Sequence, residues 1–215
     1  MIIPTYEQAK QYEKDYTYIP VCREILADDV TPILMLRKLA ALDGQYFLLE
    51  SVEGGNLGRY SFLGYHPKLS VSCKNGVVKV KENGMVRILP GKPKEALQSL
   101  LEQYRSPQIE GLPTFTGGLV GYFAYETIQY AEPKLHIKQS DVNDFELMMF
   151  DKLLAFDQVM HKLCIIVNAR TADGEAGYNK AVEEIDAFIE TLRITEPIPY
   201  EKPQKAPEFT CNLSK

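Results

Sequence analysis

The chain has 215 residues, 45% hydrophobic and 25% charged, with a formal net charge of −5. A chain of this size buries a sizeable core without staples. The acidic balance argues against nucleic acid as a main partner, because no surplus of Lys and Arg exists to neutralise phosphates. No apolar run approaches the roughly 20 residues of a membrane span. Glu7, Glu13 and Asp15 interrupt any signal-peptide core, so cytoplasmic placement is expected. The cysteines, Cys22, Cys73, Cys164 and Cys211, are far apart and form no C-x-x-C pair, which fits reduced, mostly buried thiols.

In chain order, residues 4 to 15 read as a short helix, with Thr5 to Gln8 at capping-box spacing. Ile19 to Leu26 is a strand, with Pro20 tolerable at its start. Thr31 and Pro32 open a helix that runs to about Leu42. Its expected inward side is Ile33, Leu36, Leu39 and Ala40, and Asp43-Gly44 ends it.

Two apolar runs follow, Tyr46 to Leu49 and Tyr60 to Leu63, flanking a loop with Gly54, Gly55 and Gly58. They read as two strands and their connection. Glu50 and Ser51 leave the first strand, and Arg59 enters the second. A carboxylate, a hydroxyl and a guanidinium at strand ends suit a small zwitterion. The plainer alternative is a turn start at Glu50-Ser51 with Arg59 as a solvated edge charge.

Leu69, Val71 and Cys73 alternate with polar residues, and Asn75-Gly76 marks a tight type I′ hairpin pairing Cys73 with Val78 and Val71 with Val80. At Asn83-Gly84 a plain turn would set Val80 opposite Arg87 and Lys79 opposite Ile88, so a longer loop or bulge is expected. Pro93 to about Tyr104 is an amphipathic helix with Ala96, Leu97, Leu100, Leu101 and Tyr104 inward. Pro107 to Pro113 is a loop, and Phe115 to Tyr125 is a strand whose glycines allow close backbone approach. Pro133 to Asp144 is polar loop. Glu146 to Asp157 and Lys162 to Asn168 are two more strands, the second buried on both faces. Glu175 to Arg193 is a helix with Ala181, Ile185, Phe188, Ile189 and Leu192 inward. Glu196 to Pro207 is a Pro- and charge-rich connector.

No metal-binding or nucleophile-elbow spacing occurs. Spacing suggests no chemical constellation for His66, His136 or His161, and each reads as structural or solvated. Glu126, Asp144 and Asp151 each fit a salt bridge as readily as a catalytic role, so no catalytic residue is assigned.

Three segments together resemble the N-terminal part of anthranilate synthase component I, a chorismate-utilising enzyme family. They are Leu48 to Ser51 with Glu53-Gly54-Gly55, Gly58 to Gly64, and Gly117 to Tyr122 with Tyr125-Glu126. Cys211 to Lys215 looks like the opening of that family's chorismate-binding domain. The sequence departs at Asn56-Leu57, where many members carry a tryptophan.

The resemblance implies an α+β fold: a mostly antiparallel sheet, half of a β-sandwich, with helices packed outside. It implies a regulatory domain over 1–195, then a linker and the start of a missing domain over 196–215. The parent enzyme would convert chorismate and ammonia to anthranilate with Mg²⁺, ammonia coming from a glutamine amidotransferase subunit (component II). The Mg²⁺ ligands and catalytic residues would lie in the missing domain, leaving this fragment inactive alone. L-tryptophan would inhibit by feedback, with Ser51, Glu50 and Leu49 as contacts and Arg59, Tyr60 and Pro20 as weaker ones. Two alternatives stay open: component I of 4-amino-4-deoxychorismate synthase, and a stand-alone amino-acid-binding module.

Overall fold

The structure, a computed structural model, describes residues 2–200 apart from 43, 51–57, 133, 136 and 138–140. Among the described residues, eleven strands form two sheets, and every pairing is antiparallel. The first sheet holds β1 (Ile2–Ile3), β2 (Tyr18–Leu26), β3 (Tyr46–Leu49), β4 (Tyr60–Tyr65), β10 (Lys152–Asp157) and β11 (Lys162–Arg170). Its order is β1-β2-β11-β10-β4-β3. The second holds β5 (Leu69–Lys74), β6 (Val77–Glu82), β7 (Met85–Leu89), β8 (Gly118–Phe123) and β9 (Phe145–Phe150), in the order β7-β6-β5-β9-β8.

Helices cover the outer faces. Besides α1 (Tyr6–Ala9), these are α2 (Pro32–Leu42), α3 (Pro93–Glu102) and α4 (Gly174–Ile194). The inward residues of α4 pack with Met35 and Leu39 of α2 on Leu63, Leu154, Ile165 and Val167 of the first sheet. Ala96 and Leu100 of α3 pack on Val71, Cys73, Val78 and Val80 of the second. A third cluster joins Cys22, Leu153, Ala155, Cys164 and Ile166 to Phe150, Val120 and Met148, so the two sheets meet. The α+β class, the antiparallel pairing and the outside helices match expectation. Where one sheet and half a sandwich were expected, the chain itself carries two sheets packed on each other.

The Thr5–Gln8 capping box is present, and Thr31 Oγ1 accepts from Leu34 N at 3.1 Å. Asn75 and Gly76 both take positive φ (50° and 77°), the type I′ requirement, and Cys73 faces Val78 as expected. Cys22, Cys73 and Cys164 are free and buried. Cys211 lies outside the described residues.

Four expectations are corrected. Asn83 and Gly84 form a plain two-residue turn (φ 49° and 78°), and Val80 does face Arg87. No bulge is needed because β7 is an edge strand with Met85, Val86 and Ile88 exposed. Glu146 to Asp157 is two strands: the chain crosses from the second sheet to the first at Asp151. In α2 the buried residues are Met35 and Leu39, while Ile33 is exposed. In α3 Leu101 is exposed.

Candidate functional site

The strand exit expected from the sequence is built by one antiparallel ladder. Leu49 lies opposite Phe62, and Phe62 opposite Ala155. Tyr60 lies opposite Asp157. Side chains two apart on a strand share a face, so Leu49, Phe62, Tyr60 and Asp157 project together. The Tyr60 and Phe62 rings are 5.8 Å apart, and Phe115 meets Phe62 edge-on at 5.5 Å. Leu49 is 49% exposed and forms the open lip of this aromatic surface. Glu50 follows it and is exposed.

Arg59 is not a free surface charge. Its Nε and Nη2 donate to Asp157 Oδ2 at 3.0 and 2.5 Å, and its guanidinium lies 4.9 Å from the centre of the Tyr60 ring. Asp157 is nearly buried, and its other oxygen accepts from Val159 N and Met160 N at 3.1 and 3.0 Å. Burial pushes this carboxyl up, but the hydrogen bonds from Arg59 and the Met160 amide outweigh that and hold it below its ordinary value. The hydrogen bond to Asp157 likewise raises the Arg59 guanidinium. Ser61 is buried beside this site, its hydroxyl accepting from Gln158 Nε2 at 2.8 Å.

The ladder sets Leu49 diagonal to Tyr60, with Glu50 next in the chain, while Arg59 lies over the Tyr60 ring and reaches to Asp157 on the β10 side. The structure does not bring Pro20 to them. Pro20 is buried in β2 opposite Asn168, whereas the Tyr60 row ends at Lys162 and Leu26. Six residues along a strand separate the two rows, roughly 20 Å. Ser51 lies outside the described residues.

Sequence reasoning missed Asp157. Its one local signal is an acid at a strand end, where a carboxylate can accept from the next backbone amides. Its pairing with Arg59 spans 98 positions and left no local trace.

Asp144 and Asp151 are both engaged within the fold. Asp144 accepts from Tyr130 Oη at 2.6 Å and Gly76 N at 3.2 Å, anchoring the β5–β6 hairpin. Asp151 pairs with Lys68 at 3.5 Å. His66 and His161 occupy turns at positive φ (53° and 50°), and His136 lies outside the described residues. Among the described residues, no group of three or more His, Cys, Asp or Glu could hold a metal ion. Also among these residues, no helix is long and apolar enough to cross a membrane.

This fold matches that of a solved structure. The crystal structure of anthranilate synthase component I from Streptococcus pneumoniae TIGR4 superposes with a TM-score of 0.53 over 80% of this chain and 37% of that one. At 24% identity this likeness speaks to the fold. The sequence carries the relation further. Anthranilate synthase component 1 of Acetivibrio thermocellus is 33% identical over 100% of this chain and 46% of its own length. That of Acinetobacter calcoaceticus is 35% identical over 90% of this chain and 40% of its own length. No protein-family model matches. The chain is a relative of anthranilate synthase component I, and it spans less than half the length of the curated relatives it matches.

Proposed function

We propose that this chain is the N-terminal regulatory portion, 1–195 with a following linker, of an anthranilate synthase component I. The observation that carries the reading is similarity along the whole chain to proteins of that name, 33% identical to the Acetivibrio thermocellus one. In this reading the complete subunit converts chorismate and ammonia to anthranilate. A glutamine amidotransferase subunit delivers the ammonia. Mg²⁺ and the catalytic residues belong to the part of the subunit outside this chain.

Leu49, Glu50 and Ser51, with Arg59 as a further contact, are the chain's share of a site for L-tryptophan. A free amino acid needs an acceptor for its ammonium, donors for its carboxylate and an apolar slot for its side chain. Glu50 supplies the first. Ser51 and the Arg59 N–H groups not engaged by Asp157 supply the second. Leu49, Tyr60 and Phe62 supply the third. Pro20, remote from this group, takes no direct part. The effector acts by binding one of two arrangements of the whole subunit more tightly than the other.

The test is an initial-rate assay of the complete subunit with chorismate and ammonia, following anthranilate fluorescence with and without L-tryptophan. Anthranilate formation that tryptophan suppresses supports the reading. A different aminated product, such as 4-amino-4-deoxychorismate, would replace it.

A further inference from the structure

The inward face of the second sheet is polar where packing against another sheet would favour apolar residues. On β5, Leu69, Val71 and Cys73 pack beneath α3, while Ser70 and Ser72 point the other way. On β6, Val78 and Val80 pack beneath α3, while Lys79 and Lys81 share the side of the serines. The register sets Ser72 opposite Lys79 and Ser70 opposite Lys81. This face looks onto a cleft of about 760 Å³ whose far wall is formed by residues 44–46. That is the size of a small-molecule site.

Three features distinguish the cleft from an ordinary solvated strand face. The first is unbalanced charge. Lys79 and Lys81 are two apart on one strand, about 7 Å along it. Their cross-strand neighbours are Ser72 and Ser70 on one side and Ile88 and Val86 on the other, so no carboxylate stands opposite. Among the described residues, neither lysine has an ion-pair partner. Like charges placed side by side are unfavourable without a counter-charge.

The second feature is the acid in the cleft. Glu146 is two strands from Lys79, roughly 10 Å. It accepts from Asn143 Nδ2 at 3.5 Å. It leaves the lysines uncompensated. The third is the wall chemistry. Tyr122 is 41% exposed, and with Met148 it offers an apolar lining.

We propose that this cleft binds a small aromatic carboxylate. Its anionic group sits between Lys79 and Lys81, with the Ser70 and Ser72 hydroxyls donating to it. Its ring lies against Tyr122 and Met148. The site is separate from the strand exit at Leu49 to Arg59, and the inference does not rest on the tryptophan reading.

The test is calorimetric titration of the 215-residue chain with benzoate, benzamide and inorganic phosphate, repeated on the K79Q/K81Q double variant. Benzoate should bind saturably. Benzamide, phosphate and benzoate on the double variant should each bind at least about tenfold more weakly. Absence of saturable benzoate binding overturns the proposal, as does undiminished binding to the double variant. Equal affinity for phosphate also overturns it, because the lysines would then be an unselective cationic patch. Both lysines are exposed, so the variants should keep the fold, and a thermal melt verifies this. Benzoate binding should persist in Ser51→Phe, which separates this site from the tryptophan site.

Discussion

Arg59 and Asp157 are joined across the β4–β10 pairing, with Nη2 2.5 Å and Nε 3.0 Å from the same carboxylate oxygen. The carboxylate is nearly buried and also holds two backbone amides of the β10–β11 turn. The guanidinium is thus fixed over Tyr60 before any ligand arrives. Holding a binding group in place beforehand lowers the ordering cost of association.

Asp157→Asn keeps the shape and removes the charge. Loss of charge-assisted hydrogen bonds to Arg59 and the turn should destabilise the fold by about 1.5–3 kcal/mol. Urea denaturation measures this directly. A change within about 0.5 kcal/mol, typical of neutral surface substitutions, would show that the pair contributes little.

The same pair predicts an acid dependence. The Asp157 carboxyl is held below its ordinary value of 3.8 in the folded state. A carboxyl lowered on folding contributes its full stability above the unfolded value and loses it as pH falls through the folded value. The melting-temperature gap between the wild type and Asp157→Asn should be full at pH 7 and shrink as the pH falls below 3.8. A gap that stays constant through that acid range would place the stabilisation elsewhere.

Gly121 is a close-approach position in β8. A Cβ there would collide with the Glu146 carbonyl oxygen and come within 2.8 Å of Leu147 Cα, both backbone atoms of β9. Gly121→Ala should therefore cost about 3 kcal/mol, at the upper end for overpacking. An unchanged melting temperature would mean that the β8–β9 ladder can spread without loss.

Helix α2 gives a paired test of packing. Met35 is 3% exposed and Ile33 is 50% exposed. Met35→Ala should cost about 2–4 kcal/mol, and Ile33→Ala about 0.5 kcal/mol. Equal losses would contradict the orientation of the helix.

Much of this fold was legible in local pattern, and each failure has its own physical cause. The inward stripe of α4 was read residue for residue because a 21-residue helix repeats its signal many times. The Asn75-Gly76 hairpin was readable because turn chemistry and alternation agree. The α2 stripe was misread because Ile33, Leu34, Met35 and Leu36 are consecutive and all apolar, so periodicity alone does not choose a face. The bulge at Asn83-Gly84 was inferred on the premise that apolar residues must face a core. An edge strand is released from that premise, and edge position is a property of the whole sheet. The change of sheet at Asp151 has no glycine or proline to mark it. At the candidate site, Leu49, Glu50, Arg59 and Tyr60 were named together because they flank one loop in sequence. Asp157 was not, because its role comes from a strand brought alongside by the ladder.

The central claim is that the strand exit at Leu49 to Ser51 forms part of a tryptophan site. It is tested most directly by the tryptophan concentration that halves anthranilate formation in the complete subunit, measured for the wild type and for Ser51→Phe, each against its own uninhibited rate. A phenyl ring at this position should fill the space of the effector and remove its hydroxyl contact. The account predicts an increase of at least about tenfold, or about 1.4 kcal/mol of lost effector binding. Identical half-inhibition concentrations in the two proteins would contradict it.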